Sequence, residues 1–426
     1  MNIKVHSNRN LKGKVNISGS KNAAMPIICA SILSKDKVTL RNVPRISDIF
    51  NLCKILEYVD CKVKFKNNIL IIDSSNIHYK PLLIEECRKL RASYYFIGVF
   101  LSLFNKCEIL LPGGCNIGER PIDYHLDAFK QMGYEYVIEN DALSIIKNKN
   151  INYIDVFVKN KSVGASINTL LASTHFNEGI ISNLLIEPEC ENLISFLKVL
   201  GYNYQTFNDK VIISKKVLKN KKINFKVIPD RIETMTFTVL GLLCGDLIIQ
   251  KCNPNHLLTP LNILLRTGYK IKVQKDCLHV YKSVGNQIKI KTEVYPGFPT
   301  DLQPIFGVLG SQTIDKSYIE ETIFENRLQI YKDLIESGIK CNIVDNNVVI
   351  SPGKVHSKDY NIYDLRHGAA LIILAAIGDG DSYLCDFDYV LRGYEDIIKK
   401  LNKIGLIIEK WNKKLVIKNR YAIITL

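Results

Sequence analysis

Hydrophobic and polar positions recur along this chain in a fixed order. Leu, Ile and Phe at helical spacing end near a glycine, and two short alternating segments follow, separated by a polar turn. The unit reads "LCKILEYVDCKVKFKNNILII" from Leu52 and "LDAFKQMGYEYVIENDALSII" from Leu126. It returns from Leu193, Leu261, Tyr331 and Ile397, the last as "IIKKLNKIGLIIEKWNKKLVI". Each unit predicts a helix burying one apolar face, a left-handed glycine at its end and a hairpin turned by Asn, Asp or Lys. Gly133, Gly201, Gly268, Gly338 and Gly405 are spaced 68, 67, 70 and 67 residues apart, and Val59 holds that place in the first unit. Six units at near-constant spacing predict duplication, most simply two domains of three units, in an α/β (α+β) chain.

A chain of 426 residues exceeds what one hydrophobic core supports, in keeping with that division. Hydrophobic residues make up 47% and charged residues 23%, a soluble globular composition. The longest apolar run, Ala369–Ile377, is too short to span a membrane and fits a buried helix. The start "MNIKVHSNRN" lacks the apolar stretch of a secretion signal. Twelve cysteines, none closer than eight residues to another, give no zinc spacing. We therefore expect no metal, reduced thiols and a cytoplasmic location. Lys and Arg (57) outnumber Asp and Glu (42), a net +15 that allows nucleic acid, an anionic membrane or a phosphorylated ligand. The lysines are scattered, without aromatic–basic alternation, so a solvated basic surface fits better than a nucleic-acid stripe.

Between the repeats lie segments whose chemistry a scaffold does not need. In "SGSKNAAMPI", Ser20 is placed to cap a helix whose first turn carries Lys21 and Asn22, a start suited to anions. In "CRKLRASYYFIG", Arg88, Lys89 and Arg91 open an apolar helix, where the helix dipole opposes them unless an anion is bound. In "LPGGCNIGERP", Cys115 sits among glycines, five residues before Arg120. Two readings stand there: a reactive thiol of lowered pKa, or an inert cysteine in a turn. Further on come "KSVGAS", "PDRIETMTF", "PGFPTDLQP", "ETIFENR", "DLRHGAAL" and "LRGYE". Arginines at equivalent inter-repeat positions would converge on a cleft for phosphates and carboxylates. No phosphate-loop, dinucleotide or hydrolase-elbow motif is present.

Nine ordered motifs, among them "GSKNAAMPI", "LRAS", "LPGGCNIGERP", "SVGA", "FPTD", "FENR" and "RGYE", carry a resemblance over nearly the whole chain. The sequence resembles the UDP-N-acetylglucosamine 1-carboxyvinyltransferases, a branch of the enolpyruvyl transferase family. The resemblance implies two inside-out α/β barrel domains joined by a double hinge. Residues 21–229 would form one, carrying the Cys loop, and residues 1–20 with 230–426 the other. It implies transfer of the enolpyruvyl group of phosphoenolpyruvate to the 3-hydroxyl of UDP-N-acetylglucosamine, with release of phosphate, the first committed step of peptidoglycan synthesis. The substrates are small molecules, with no cofactor, no nucleic acid and no membrane insertion.

Residue by residue, the resemblance implies that Lys21 holds phosphoenolpyruvate and Asn22 touches the sugar nucleotide. Arg91, Arg120 and Arg392 match phosphate and carboxylate contacts. Cys115 matches the cysteine that serves as acid or covalent anchor, the fosfomycin target, and Asp301 the base for the hydroxyl. Arg120, Pro121, Ile122, Asp123 and Tyr124, with Ser162, Val163, Gly164 and Ile323, match uridine and sugar contacts. Arg327, Asp364 and Arg366 match further cleft residues. Where relatives have Asp before the last arginine this chain has Leu391, which implies that an ion pair orienting Arg392 is missing. Met235 replaces a glycine, Ser166 a threonine, and Lys159 and Lys161 flank Asn160 where some relatives place a diphosphate lysine. A shikimate-pathway transferase, which lacks the Cys loop, is the nearest rival reading, and a basic RNA-binding scaffold a more distant one.

Overall fold

The computed structural model of the protein describes residues 1–111, 122–215 and 222–411. Six helices carry the most apolar segments: Lys21–Ala30, Tyr95–Phe104, Val163–Ser173, Arg231–Cys244, Gln303–Gly310 and Leu365–Ile377. Arg231–Cys244 and Gln303–Gly310 are buried along their whole length. A helix apolar on every side belongs inside a protein, and these six do. The sheets lie outside them, with strands alternating buried and exposed positions as half-buried sheets require. Six amphipathic helices, beginning at Ser47, Asp123, Pro188, Leu258, Gln329 and Ile397, complete the units.

The described residues form two hydrophobic cores. One gathers residues from Ala23 to Val227 around the first three central helices. The other gathers Ile3–Ile17 and Ile232–Ile408 around the last three. Among the described residues each core has three sheets, five of the six having four strands. Among the described residues no sheet closes on itself, so each inside-out barrel is three separate sheets around a helical centre. The sheet of three strands, Lys106–Leu110, Ala142–Lys147 and Tyr134–Glu139, has only the parallel bridge of Leu82 to Ile109 where the others have a fourth strand.

The chain passes between the cores twice. Strand Leu11–Asn16 pairs in parallel with Gly245–Gln250 of the second core, and strand Ile223–Lys226 with Lys37–Arg41 of the first. The two crossing segments lie side by side. Ser20 N–H donates to Ile228 O (2.7 Å) and Asp230 N–H to Ser18 O (2.9 Å), with Gly19 and Pro229 bridged. A Cβ on Gly19 would stand 1.7 Å from the Asn42 carbonyl oxygen, so only glycine fits.

Two local expectations change, and a third is not reached. The left-handed residue ending the first repeat helix is Asp60 (φ 62°), not Val59; aspartate tolerates this conformation better than a β-branched residue does. Arg88 and Lys89 do not open the apolar helix. They end a short helix, Glu85–Lys89, where the dipole favours cations, and extended Leu90 separates them from Arg91. The strand that the pattern assigns to Leu415–Ile417 lies outside the described residues. Ile3–Val5 lies between Ile408–Lys410 and Ser382–Cys385, with Ile3 and Val5 buried. Among the described residues no helix is long and apolar enough to cross a membrane.

Candidate active site between the two cores

Ser20 caps the helix Lys21–Ala30, its Oγ accepting from Ala23 N–H at 3.3 Å, and so places Lys21 and Asn22 in the first turn facing the second core. Lys21 Nζ lies 2.6 Å from Asp48 Oδ2, and Asp48 is 2% exposed. The other oxygen, Oδ1, accepts from Arg392 Nε at 3.0 Å. Asp48 therefore stands between a cation of its own core and a cation of the other. Burial holds the Lys21 ammonium below its ordinary pKa; Asp48 counters this, and Arg392 and Arg366 add to the fall. The sequence implied that Leu391 leaves Arg392 without an orienting carboxylate. Asp48, 344 residues away in the chain, supplies one.

On the second core, Asp301 follows Pro299 in the short turn that opens the helix Gln303–Gly310. Its Oδ2 accepts from Arg366 Nε (2.9 Å) and Nη2 (2.6 Å), and its Oδ1 lies 2.8 Å from Arg327 Nη2. Both guanidinium groups are nearly buried, so the carboxylate is clamped from two sides. Asp364 caps the helix Leu365–Ile377 through Oδ1 and so aims Arg366 from its first turn. Buried Glu321 accepts from the backbone N–H of Ile323 (2.9 Å) and Phe324 (3.1 Å) and from the Thr292 and Thr300 hydroxyls. That fixes the loop presenting Ile323, which is 37% exposed.

On the first core, segments 122–124 and 162–164 meet. Tyr124 OH accepts from Asn160 Nδ2, and Ser162 caps the helix Val163–Ser173. Beneath them, Gly98 N–H donates to Asn168 Oδ1, so Asn168 Nδ2 donates to Tyr94 O (2.8 Å) and to His125 Nδ1 (3.0 Å). His125 thus carries its proton on Nε2. Burial, and secondarily Arg91, pushes its pKa down to about 3, so the ring is neutral. A Cβ on Gly164 would lie 3.0 Å from His125 Nε2, and the glycine lets the two segments close up. Arg91 lies over the Tyr94 ring (5.6 Å to its centroid). Asp123 is exposed in the first turn of its helix. Lys159 and Lys161 pair with Asp127 and Asp209, each at 2.7 Å.

A second ionic contact crosses between the cores. Arg231 opens the helix Arg231–Cys244 and donates Nη2 to Glu187 Oε2 (2.8 Å) and Nε to Glu189 Oε1 (3.0 Å). Burial, then the neighbouring Glu189 charge, pushes Glu187 up to about 8, against the pull of Arg231. Glu395 joins the cores again by accepting from Arg45 N–H and Asn68 Nδ2.

Lys21, Asp301, Arg327, Arg366 and Arg392 thus line the facing surfaces of the two cores, with Ile122–Tyr124 and Ser162–Gly164 on the first core alone. Cys115, Arg120 and Pro121 lie outside the described residues. Reading the sequence missed Asp48 and the Glu187–Glu189 pair. Asp48 sits in an ordinary repeat helix with no local signal; the acidic "EPECE" beside a predicted helix start is the only hint of the other pair. Among the described residues no group of three or more His, Cys, Asp or Glu is arranged to hold a metal ion.

The family model for EPSP synthase (3-phosphoshikimate 1-carboxyvinyltransferase) matches residues 5–401. A UDP-N-acetylglucosamine 1-carboxyvinyltransferase of Halothermothrix orenii is 37% identical over 403 residues, 94% of this chain and 97% of that protein. One of Staphylococcus aureus, UDP-N-acetylglucosamine 1-carboxyvinyltransferase 2, is 34% identical over 95% of this chain and 97% of that protein. The crystal structure of the enolpyruvyl transferase NikO from Streptomyces tendae superposes with a TM-score of 0.86 at 20% identity, covering 96% of this chain and 98% of that one. EPSP synthase from Acinetobacter baumannii superposes at 0.76 and 14% identity, covering 96% and 99%. These two share the fold, and the two relatives of higher identity match nearly the whole chain. The chain belongs to the enolpyruvyl (1-carboxyvinyl) transferase family.

Proposed function

We propose that the protein transfers the enolpyruvyl group of phosphoenolpyruvate to the 3-hydroxyl of UDP-N-acetylglucosamine and releases phosphate, the first committed step of peptidoglycan synthesis. The observation that carries this reading is Asp48 between Lys21 and Arg392, opposite Asp301 between Arg327 and Arg366. Four cations and two carboxylates on two facing surfaces suit a substrate with a phosphate and a carboxylate beside a hydroxyl that must lose a proton.

In this reading Lys21 and Arg392, positioned by Asp48, take the phosphate and carboxylate, and Arg91 and Arg120 complete that subsite. Asp301 accepts the proton of the 3-hydroxyl as its oxygen bonds to C2 of phosphoenolpyruvate. The methylene carbon gains a proton, and Cys115 is the group assigned to that side. The tetrahedral ketal then loses a methyl proton as the bond from C2 to the phosphate oxygen breaks. Asn22, residues 120–124, Ser162–Gly164 and Ile323 hold the nucleotide, and Asp364 orders Arg366. The domains are residues 21–229 and residues 1–20 with 230–426, hinged at the paired crossings. They open and close about Arg392–Asp48 and Arg231–Glu187. The enzyme works in the cytoplasm without cofactor.

The test is phosphate release by the pure protein. It should require phosphoenolpyruvate and UDP-N-acetylglucosamine together. Release with shikimate 3-phosphate in place of the sugar nucleotide would assign the chain to the other branch of the family.

A further inference from the structure

The outward face of the sheet built from Lys37–Arg41, Lys62–Lys66, Ile69–Asp73 and Ile223–Lys226 is strongly basic. Its register sets three rows across the strands. Lys62, Asp73 and Lys37 form the first; Lys64, Ile71, Thr39 and Asn224 the second; Lys66, Ile69, Arg41 and Lys226 the third. Six cations thus stand against Asp73 alone, and all six are exposed. The inward positions, Val63, Phe65, Ile72 and Phe225, pack on the core, so the register leaves the cations no other side.

Among the described residues no other sheet is like it. The next most basic outward face sets Lys12, Lys14 and Lys272 against Asp246. The face built on Lys106–Leu110 carries Lys106 against Glu108, Glu135 and Glu139. This one face, with six cations against Asp73, therefore carries five of the net fifteen positive charges. Like charges on neighbouring strands repel, which a fold has no structural reason to collect.

We infer that this face docks the enzyme on an anionic lipid bilayer. The face is a broad four-stranded surface, with half-buried Ile69 and Ile71 between the lysines. Lysines beside a plane of anionic headgroups each add to the attraction within a Debye length of about 8 Å at physiological salt. A single-stranded nucleic acid fits the face less well. Its bases need aromatic platforms, and none of the outward positions is aromatic. The face belongs to the outer layer of the first core, and none of its six cations is among the proposed cleft residues.

The test is co-sedimentation of the full chain with vesicles of phosphatidylcholine, with and without one quarter phosphatidylglycerol. The protein should bind only the anionic vesicles, and added salt should release it. A K62E/K64E/K66E variant should bind at least about tenfold more weakly while keeping its phosphate-release activity. A K12E/K14E/K272E variant, with the same change in net charge on another face, should bind like the parent. No binding by the parent, or equal loss in both variants, would overturn the inference. So would single-stranded RNA displacing the protein from the vesicles through the same three lysines.

Discussion

Arg392 Nε donates to Asp48 Oδ1 across 3.0 Å, and the two residues belong to different hydrophobic cores. The same aspartate binds Lys21, so one buried carboxylate fixes two of the cations that the proposed reaction needs for its phosphate and carboxylate. An Asp48→Asn variant keeps the shape and removes the charge. kcat/KM for phosphoenolpyruvate should fall by about 10- to 100-fold, the scale of one lost charge-assisted contact. Asp48 raises the Lys21 pKa against burial, so the alkaline limb of the pH–rate profile should move to lower pH. An unshifted limb would remove Asp48 from the account of Lys21.

Asp301 is the centre of the second cluster. Replacing it with Asn leaves Arg327 and Arg366 without their shared counter-charge and removes the proposed base. kcat should fall by about 10²- to 10⁴-fold, the usual contribution of a positioned base. Affinity for the sugar nucleotide, measured by calorimetry, should change by less than about tenfold. Loss of binding on the same scale as kcat would make Asp301 a binding residue.

Glu187 gives stability a pH dependence of known sign. Its ordinary value is 4.5 and burial raises it to about 8 in the folded chain. Between those values the folded state keeps a proton that the unfolded state has lost, so Glu187 makes stability fall as pH rises through that window. Glu187→Gln should flatten this fall in melting temperature measured from pH 5 to about pH 8. Equal slopes in the two proteins would mean that Glu187 does not titrate there.

The paired crossing leaves no room at Gly19, where a Cβ would stand 1.7 Å from a backbone oxygen. Gly19→Ala should destabilise the chain by at least about 3 kcal/mol, read by urea denaturation, because backbone and not a mobile side chain must yield. A variant of unchanged stability would show that the crossing segments can separate freely.

The sequence made the repeats legible because each unit closes locally, as at Gly201 (φ 96°) and Gly268 (φ 93°), where a left-handed helix end leaves a visible mark. Lys21 and Asp301 were legible through motifs, Lys21 also through its capped helix start. What escaped depends on partners far along the chain. Nothing near Asp48 announces Arg392. Ile3–Val5 reads as an isolated strand until Ile408–Lys410 is beside it. The Leu90 break and Asp60 escaped for another reason: helix ends are decided by one or two residues, and apolar periodicity runs past them.

The account's central claim is tested most directly by the mass of the product. Incubated with phosphoenolpyruvate and UDP-N-acetylglucosamine, the protein should yield a sugar nucleotide heavier by one enolpyruvyl group, with one phosphate released per product. Intact sugar nucleotide after prolonged incubation with folded protein, or an enolpyruvyl adduct formed on shikimate 3-phosphate instead, would contradict it.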